Sequence, residues 1–176
     1  YILINFYKLR KKDNIELTVN NLNDKNIQNF IDIKNVDNLI KPIRDKDYLQ
    51  WRFLDSPEKK NYKILAEKNM SALVKERKDK QYSWHLDILL INDLSNYESA
   101  VSFLSKIILW AEKNNFSYVK LHVSNKKLSQ KIKSNLLSII RNPRFFYYSK
   151  NKNFMDILKK RTFQWQLADS DFEIIF

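Results

Sequence analysis

A chain of 176 residues without a single glycine has few ways to reverse direction. At an average usage of about 7%, about twelve glycines would be expected at this length. Without them no position takes a positive φ free of steric cost, so tight turns fall to Asn and Asp. The same absence excludes every glycine-rich phosphate loop, both the Walker type and the dinucleotide-binding fingerprint.

Cysteine is absent too, which removes thiol catalysis and zinc clusters, and the two histidines, His85 and His122, are too few and too isolated to suggest a metal site. A chain of this length can bury about two thirds of its unfolded surface, so one conventional core needs no disulfide or metal. No run approaches the roughly 18 uncharged apolar residues of a membrane-spanning helix. Tyr1 to Arg10 is too short and too polar in its flanks for a signal peptide. The expectation is a soluble, cytoplasmic protein with no membrane span. Because the first residue is Tyr1, a longer parent is expected, with residues 1–14 a linker or the end of a preceding segment and 15–176 the domain.

The formal net charge is +12, from 32 basic and 20 acidic residues. Only seven of the 32 are arginine, and the lysines run along the whole length rather than gathering in one arm or helix face. Lysine and asparagine share A-rich codons, so the charge is read as in part the record of a low-GC genome, ahead of a nucleic-acid-binding surface. No specific nucleic-acid partner is expected.

Hydrophobic periodicity gives the element order. Ile15 to Val19 alternates as a strand does. From Asn23 or Asp24, Ile27, Phe30, Ile31, Val36, Leu39 and Ile40 recur at helical spacing up to Pro42. Asp45 can cap a short helix carrying Tyr48, Leu49 and Phe53, which stops at Asp55, Ser56 and Pro57. Tyr62 to Glu67 and Ala72 to Arg77 form a hairpin turning over Lys68 to Ser71, where Asn69 stands in for glycine. Gln81 to Ile91 ends in a run suited to a central strand buried on both faces. A helix starting at Asp93 or Ser95 carries Val101, Leu104, Ile108 and Ala111 on one stripe and ends near Asn114 and Asn115. Phe116 to Val123 is a strand. Ser124 or Asn125 opens a helix with Leu128, Ile132, Leu136 and Ile139. Arg144 to Ser149 and Thr162 to Leu167 are the last strands, with Phe172 to Phe176 a candidate extension. The pattern predicts an α/β class, or an α+β sandwich, with a mixed sheet.

That order is similar to the order of the GNAT acyltransferase fold, with helices on both faces of its mixed sheet. Arg44, Asp45, Lys46, Asp47, Tyr48, Leu49, Gln50, Trp51, Arg52 and Phe53, followed by Pro57, Tyr62, Lys63 and Ile64, resemble the pattern D-x-x-Y-x-x-W-R-[FY]…P…Y-x-I of a GNAT-like branch met in bacterial surface-polysaccharide gene sets. Trp165 to Asp171 resembles that branch's closing W-Y-L-T-x-G-D-S-D. The resemblance implies an acyl-coenzyme A dependent N-acyltransferase, with acetyl-CoA or another acyl-CoA as cofactor. Its partners would be a small-molecule amine, such as an amino sugar, and a preceding domain of the same protein. The alternative is a catalytically silent domain of that fold that binds a partner or completes a longer protein. The resemblance places the pyrophosphate at Asn92, Ser95 and Asn96. Active members carry Q/R-x-x-G-x-G/A there; this chain has Ile91 to Tyr97, with no glycine, no base and an aspartate, Asp93.

Asp87 lies two positions from Leu89 and four from Ile91, so alternation puts it on their face. Desolvated there, it could serve as general base on an amine, its pKa raised towards neutrality. It could equally be a structural aspartate bonded to backbone amides or paired with His85 or a lysine. His85 alternates onto the same face, as a base, as a partner to Asp87 or as a half-buried strand histidine. The resemblance makes Tyr147 or Tyr148 the acid that protonates the leaving thiolate, with aromatic core filling the competing account. Trp51 and Arg52 could hold a sugar or acidic ligand, or Trp51 could anchor its short helix on the sheet. Asp169, Ser170 and Asp171 look metal-friendly, but two carboxylates one residue apart are better read as a capped strand end.

Overall fold

The structure, a computed structural model, describes residues 2–4, 17–31, 39–40, 44–78, 84–122, 126–135, 138–140 and 162–163. It is α/β, built on a mixed sheet. Its strands are β1 (Ile2–Ile4), β2 (Thr18–Asn21), β3 (Leu39–Ile40), β4 (Tyr62–Glu67), β5 (Met70–Lys78), β6 (Trp84–Ile91), β7 (Tyr118–Leu121), β8 (Ser138–Ile140) and β9 (Thr162–Phe163). Seven of these form one sheet in the order β2-β4-β5-β6-β7-β1-β8, and β3 pairs with β9 in parallel. Within the large sheet β6 and β7 are parallel, and every other described pairing is antiparallel. A parallel pair needs a crossover, which helix α2 (Tyr97–Lys113) supplies.

Helix α2 presents Ala100, Phe103, Leu104, Ile107, Ile108 and Ala111 to the sheet. With Leu128 and Ile132 of helix α3 (Lys126–Asn135) they cover Leu65, Val74, Leu86, Ile88 and Val119. On the opposite face a second core joins Leu22, Ile27, Phe30, Leu49, Phe53 and Tyr62 to Ile64, Leu73, Leu89 and Leu90. Helical segments therefore lie on both faces, and β6 is buried from His85 to Ile91. No helix among the described residues is long and apolar enough to cross a membrane.

Asp45 caps the short helix α1 (Lys46–Leu49), accepting from the Tyr48 amide at 2.8 Å, as its position implied. One turn of π-helix over Gln50–Leu54 follows, closed by the Asp55 amide on the Gln50 carbonyl at 2.9 Å.

Several expectations are corrected. Ile2–Ile4, in the span expected to be a linker or the end of a preceding segment, is a sheet strand between β7 and β8. In place of a helix from Asn23 to Pro42 there is a 3-10 turn at Ile27–Phe30 and, further on, β3. Asn23 Oδ1 accepts from the amides of Lys25 and Asn26, and Asn26 Oδ1 from the Asn23 amide. These asparagines meet the backbone's needs locally and so compete with a helix. The β4–β5 turn places Lys68, not Asn69, in the left-handed region, at φ 51°. Helix α2 starts at Tyr97 with Asn96 as its N-cap, not at Asp93 or Ser95. Ile139, expected on a helix, lies in β8. The segments 144–149 and 164–176 lie outside the described residues.

Candidate functional site

Register decides which side chains meet on the sheet. Leu86 and Ile88 belong to the α2 core, so His85 and Asp87 point to the other face. Leu73 pairs with Leu90 and Val74 with Ile88, which makes Leu89 the extra residue of a β-bulge. The bulge resets the alternation. Asp87 shares Leu89's face as expected, but Ile91 joins the α2 core, against the sequence reading. Alternation cannot survive an unforeseen extra residue.

Opposite β6, β5 sets Lys75 across from Asp87 and Arg77 across from His85, while β7 sets Tyr118 beside His85 and Lys120 beside Asp87. Asp87 is 1% exposed. Arg77 Nε lies 2.8 Å from its Oδ2, and His85 Nε2 lies 3.6 Å from its Oδ1, too long for a hydrogen bond and an ion pair only when the imidazole is protonated. The His85 and Tyr118 rings stack with centroids 4.7 Å apart and planes 7° from parallel. Lys75, also buried, bonds Glu58 Oε2 at 2.5 Å and stands 5.1 Å from the centre of the Tyr62 ring. That bond to Lys75 holds the Glu58 carboxyl below its ordinary range, against a smaller opposing effect of burial. Arg77 thus sets a cation directly against the buried Asp87 carboxylate. Among the described residues the β6–β7 pairing runs from His85 and Tyr118 to Ile88 and Leu121.

His122 is buried on β7's downstream side. Burial, with the positive charge of Lys120 adding to it, pushes its imidazole down from 6.5 to about 4. Between those values an unfolded chain binds a proton there and the folded chain does not, so stability falls as pH drops from 6.5 to 4. The loss attributable to His122 approaches about 3 kcal/mol. Denaturant melts of His122→Gln should show a smaller stability difference between neutral and mildly acid pH than the parent shows.

The expected cofactor residues are spent on the chain itself. Asn92 Oδ1 accepts from the Ser71 amide at 2.8 Å, and its Nδ2 donates to the Asn69 carbonyl at 2.9 Å. The Ser95 amide donates to Asp93 Oδ1 at 2.8 Å. Asn96 caps α2, accepting from the amides of Glu98 and Ser99 at 3.1 Å each. A cleft of about 620 Å³ between the β4–β5 turn and the first turns of α2 is lined by Glu67, Asp93 and Glu98 as well as Lys68 and Lys106. Glu67 is ion-paired with Lys106, and Glu98 with Lys131. A pyrophosphate would meet amides already satisfied and carboxylates at the rim, so these residues do not fit it.

Trp51 is 65% exposed on the π-turn, 6.2 Å from Tyr48 between ring centres, and Arg52 is half-buried. Leu49, Phe53 and Leu54, not Trp51, anchor that turn in the core. Tyr147, Tyr148 and the Asp169 to Asp171 cluster lie outside the described residues. Among the described residues no three His, Asp or Glu side chains converge as metal ligands would. Sequence reasoning missed Arg77, Lys75 and Tyr118. The one available signal was Lys75 and Arg77, two cations spaced two apart and so on one face of a strand.

No protein-family model matches the chain, and no curated protein matches it either.

Proposed function

We propose that the chain is a GNAT-like N-acyltransferase domain, acting on an amine such as an amino sugar in surface-polysaccharide biosynthesis. The observation that carries this reading is the buried Asp87–His85 pair on β6, set against Lys120 and Tyr118 within the parallel pairing of β6 with β7. The element order, strand, short helical turns, three antiparallel strands, α2, a parallel strand and α3, supports it. The acyl-CoA that this reading implies as thioester donor finds no fitting pyrophosphate site at residues 92–96, so its binding is expected to be weak. The chain's own part is to take a proton from the acceptor's ammonium, which frees the nitrogen lone pair, and this reading assigns that role to Asp87 with His85.

The self-satisfied loop at 92–96 favours a second reading, a silent domain of the same fold that binds a partner within a longer protein. A thiol-release assay with acetyl-CoA and a panel of amines, glucosamine among them, separates the two. Transfer that falls about 100-fold in a folded His85→Gln variant is expected from an enzyme using this pair. No release above the spontaneous rate with any amine, at saturating acetyl-CoA, would leave the silent reading.

A further inference from the structure

Two residues that the acyl-transfer reading does not name hold the pair from either side. Arg77 Nε meets Asp87 Oδ2 at 2.8 Å from strand β5, and Tyr118 lies flat on the His85 ring from strand β7. We propose that Arg77 and Tyr118 are positioning residues that make His85, rather than Asp87, the group that takes the proton at this site.

The charges decide it. Protonating Asp87 would remove the carboxylate charge 2.8 Å from Arg77 Nε, at a guanidinium side chain only 11% exposed. Asp87 therefore keeps its charge, and a carboxylate that keeps its charge is a poor proton acceptor. It is, however, a good stabiliser of an imidazolium 3.6 Å away. Tyr118 fixes the rotation of the imidazole and offers its π-face to the cation that forms. Among the described residues the groups brought beside this centre are Lys75 and Arg77 from β5, Tyr118 and Lys120 from β7, and Glu58, whose carboxylate senses both Lys75 and Arg77. Lys75 is engaged by Glu58. In the step itself one proton leaves the acceptor's ammonium for the His85 imidazole, and the nitrogen keeps its electron pair. The role of that proton rests on the acyl-transfer reading; the tuning of His85 does not.

Two histidines in the chain make nitrogen and proton NMR titration direct. In the parent, neutral His85 should carry its hydrogen on Nε2, the atom nearest Asp87. Asp87→Asn should lower its titration midpoint by about one pH unit or more. Tyr118→Leu should lower it by less, and Arg77→Lys should keep the parent's value. An unchanged midpoint in Asp87→Asn, or a hydrogen on Nδ1 in the parent, would overturn the proposal. The parent's tautomer decides the matter even if Asp87→Asn does not fold. Because no acyl donor is used, the expected NMR result without acetyl transfer removes the enzyme reading alone, and the opposite pair of results removes this one alone.

Discussion

Replacing Leu89 by aspartate should abolish cooperative folding or cost about 4 kcal/mol or more. Leu89 is 0% exposed and lies in the core formed with Leu49, Phe53, Ile64 and Leu73. A carboxylate there loses its water and gains no counter-charge from those neighbours. The position is also the bulged residue of β6, so the side chain cannot swing to the other face without undoing the register that places Asp87. Leu89→Met, which conserves volume and adds no charge, should cost less than about 1.5 kcal/mol. Urea melts of the two variants beside the parent check both values. A Leu89→Asp protein melting with the parent would remove the buried central strand from the account.

The second large effect concerns Arg77. Removing one member of a buried ion pair leaves the other charged and dry, which costs about 3 to 5 kcal/mol, whereas removing both is often close to neutral. Arg77→Leu should therefore destabilise the fold strongly, because Asp87 is left at 1% exposure without its guanidinium. Arg77→Leu combined with Asp87→Leu should recover most of the loss. A double-mutant cycle read by chemical denaturation makes the comparison, and additivity of the two changes would show that the pair is not coupled.

What could be read from residue order was mostly local. The Asp45 cap, the β4–β5 hairpin, the apolar stripe of α2 and the buried character of β6 each follow from a few neighbouring residues. Non-local and competing effects were not legible. Asparagines at 21, 23 and 26 bond among themselves and replace an expected helix with a 3-10 turn. Lys68 takes the left-handed position because the two-residue turn fixes it there, whatever Asn69 might prefer. The pairing of Ile2–Ile4 with β7 joins residues more than a hundred positions apart. At the candidate site, His85 and Asp87 could be placed on one face by alternation, but Arg77, Lys75 and Tyr118 arrive there through cross-strand register. One bulge at Leu89 sets which way Ile91 points.

The loop between β6 and α2 separates an acyl-CoA site from a silent one. Asp93 and the Asn96 cap satisfy the amides that a pyrophosphate needs, and Asp93 adds a negative charge where two more would arrive. Calorimetric titration of acetyl-CoA into the parent and into Asp93→Asn tests this directly. Affinity in the millimolar range or weaker for the parent, with tighter binding by Asp93→Asn, is the expected outcome. Low-micromolar binding by the parent, left unchanged by Asp93→Asn, would contradict it.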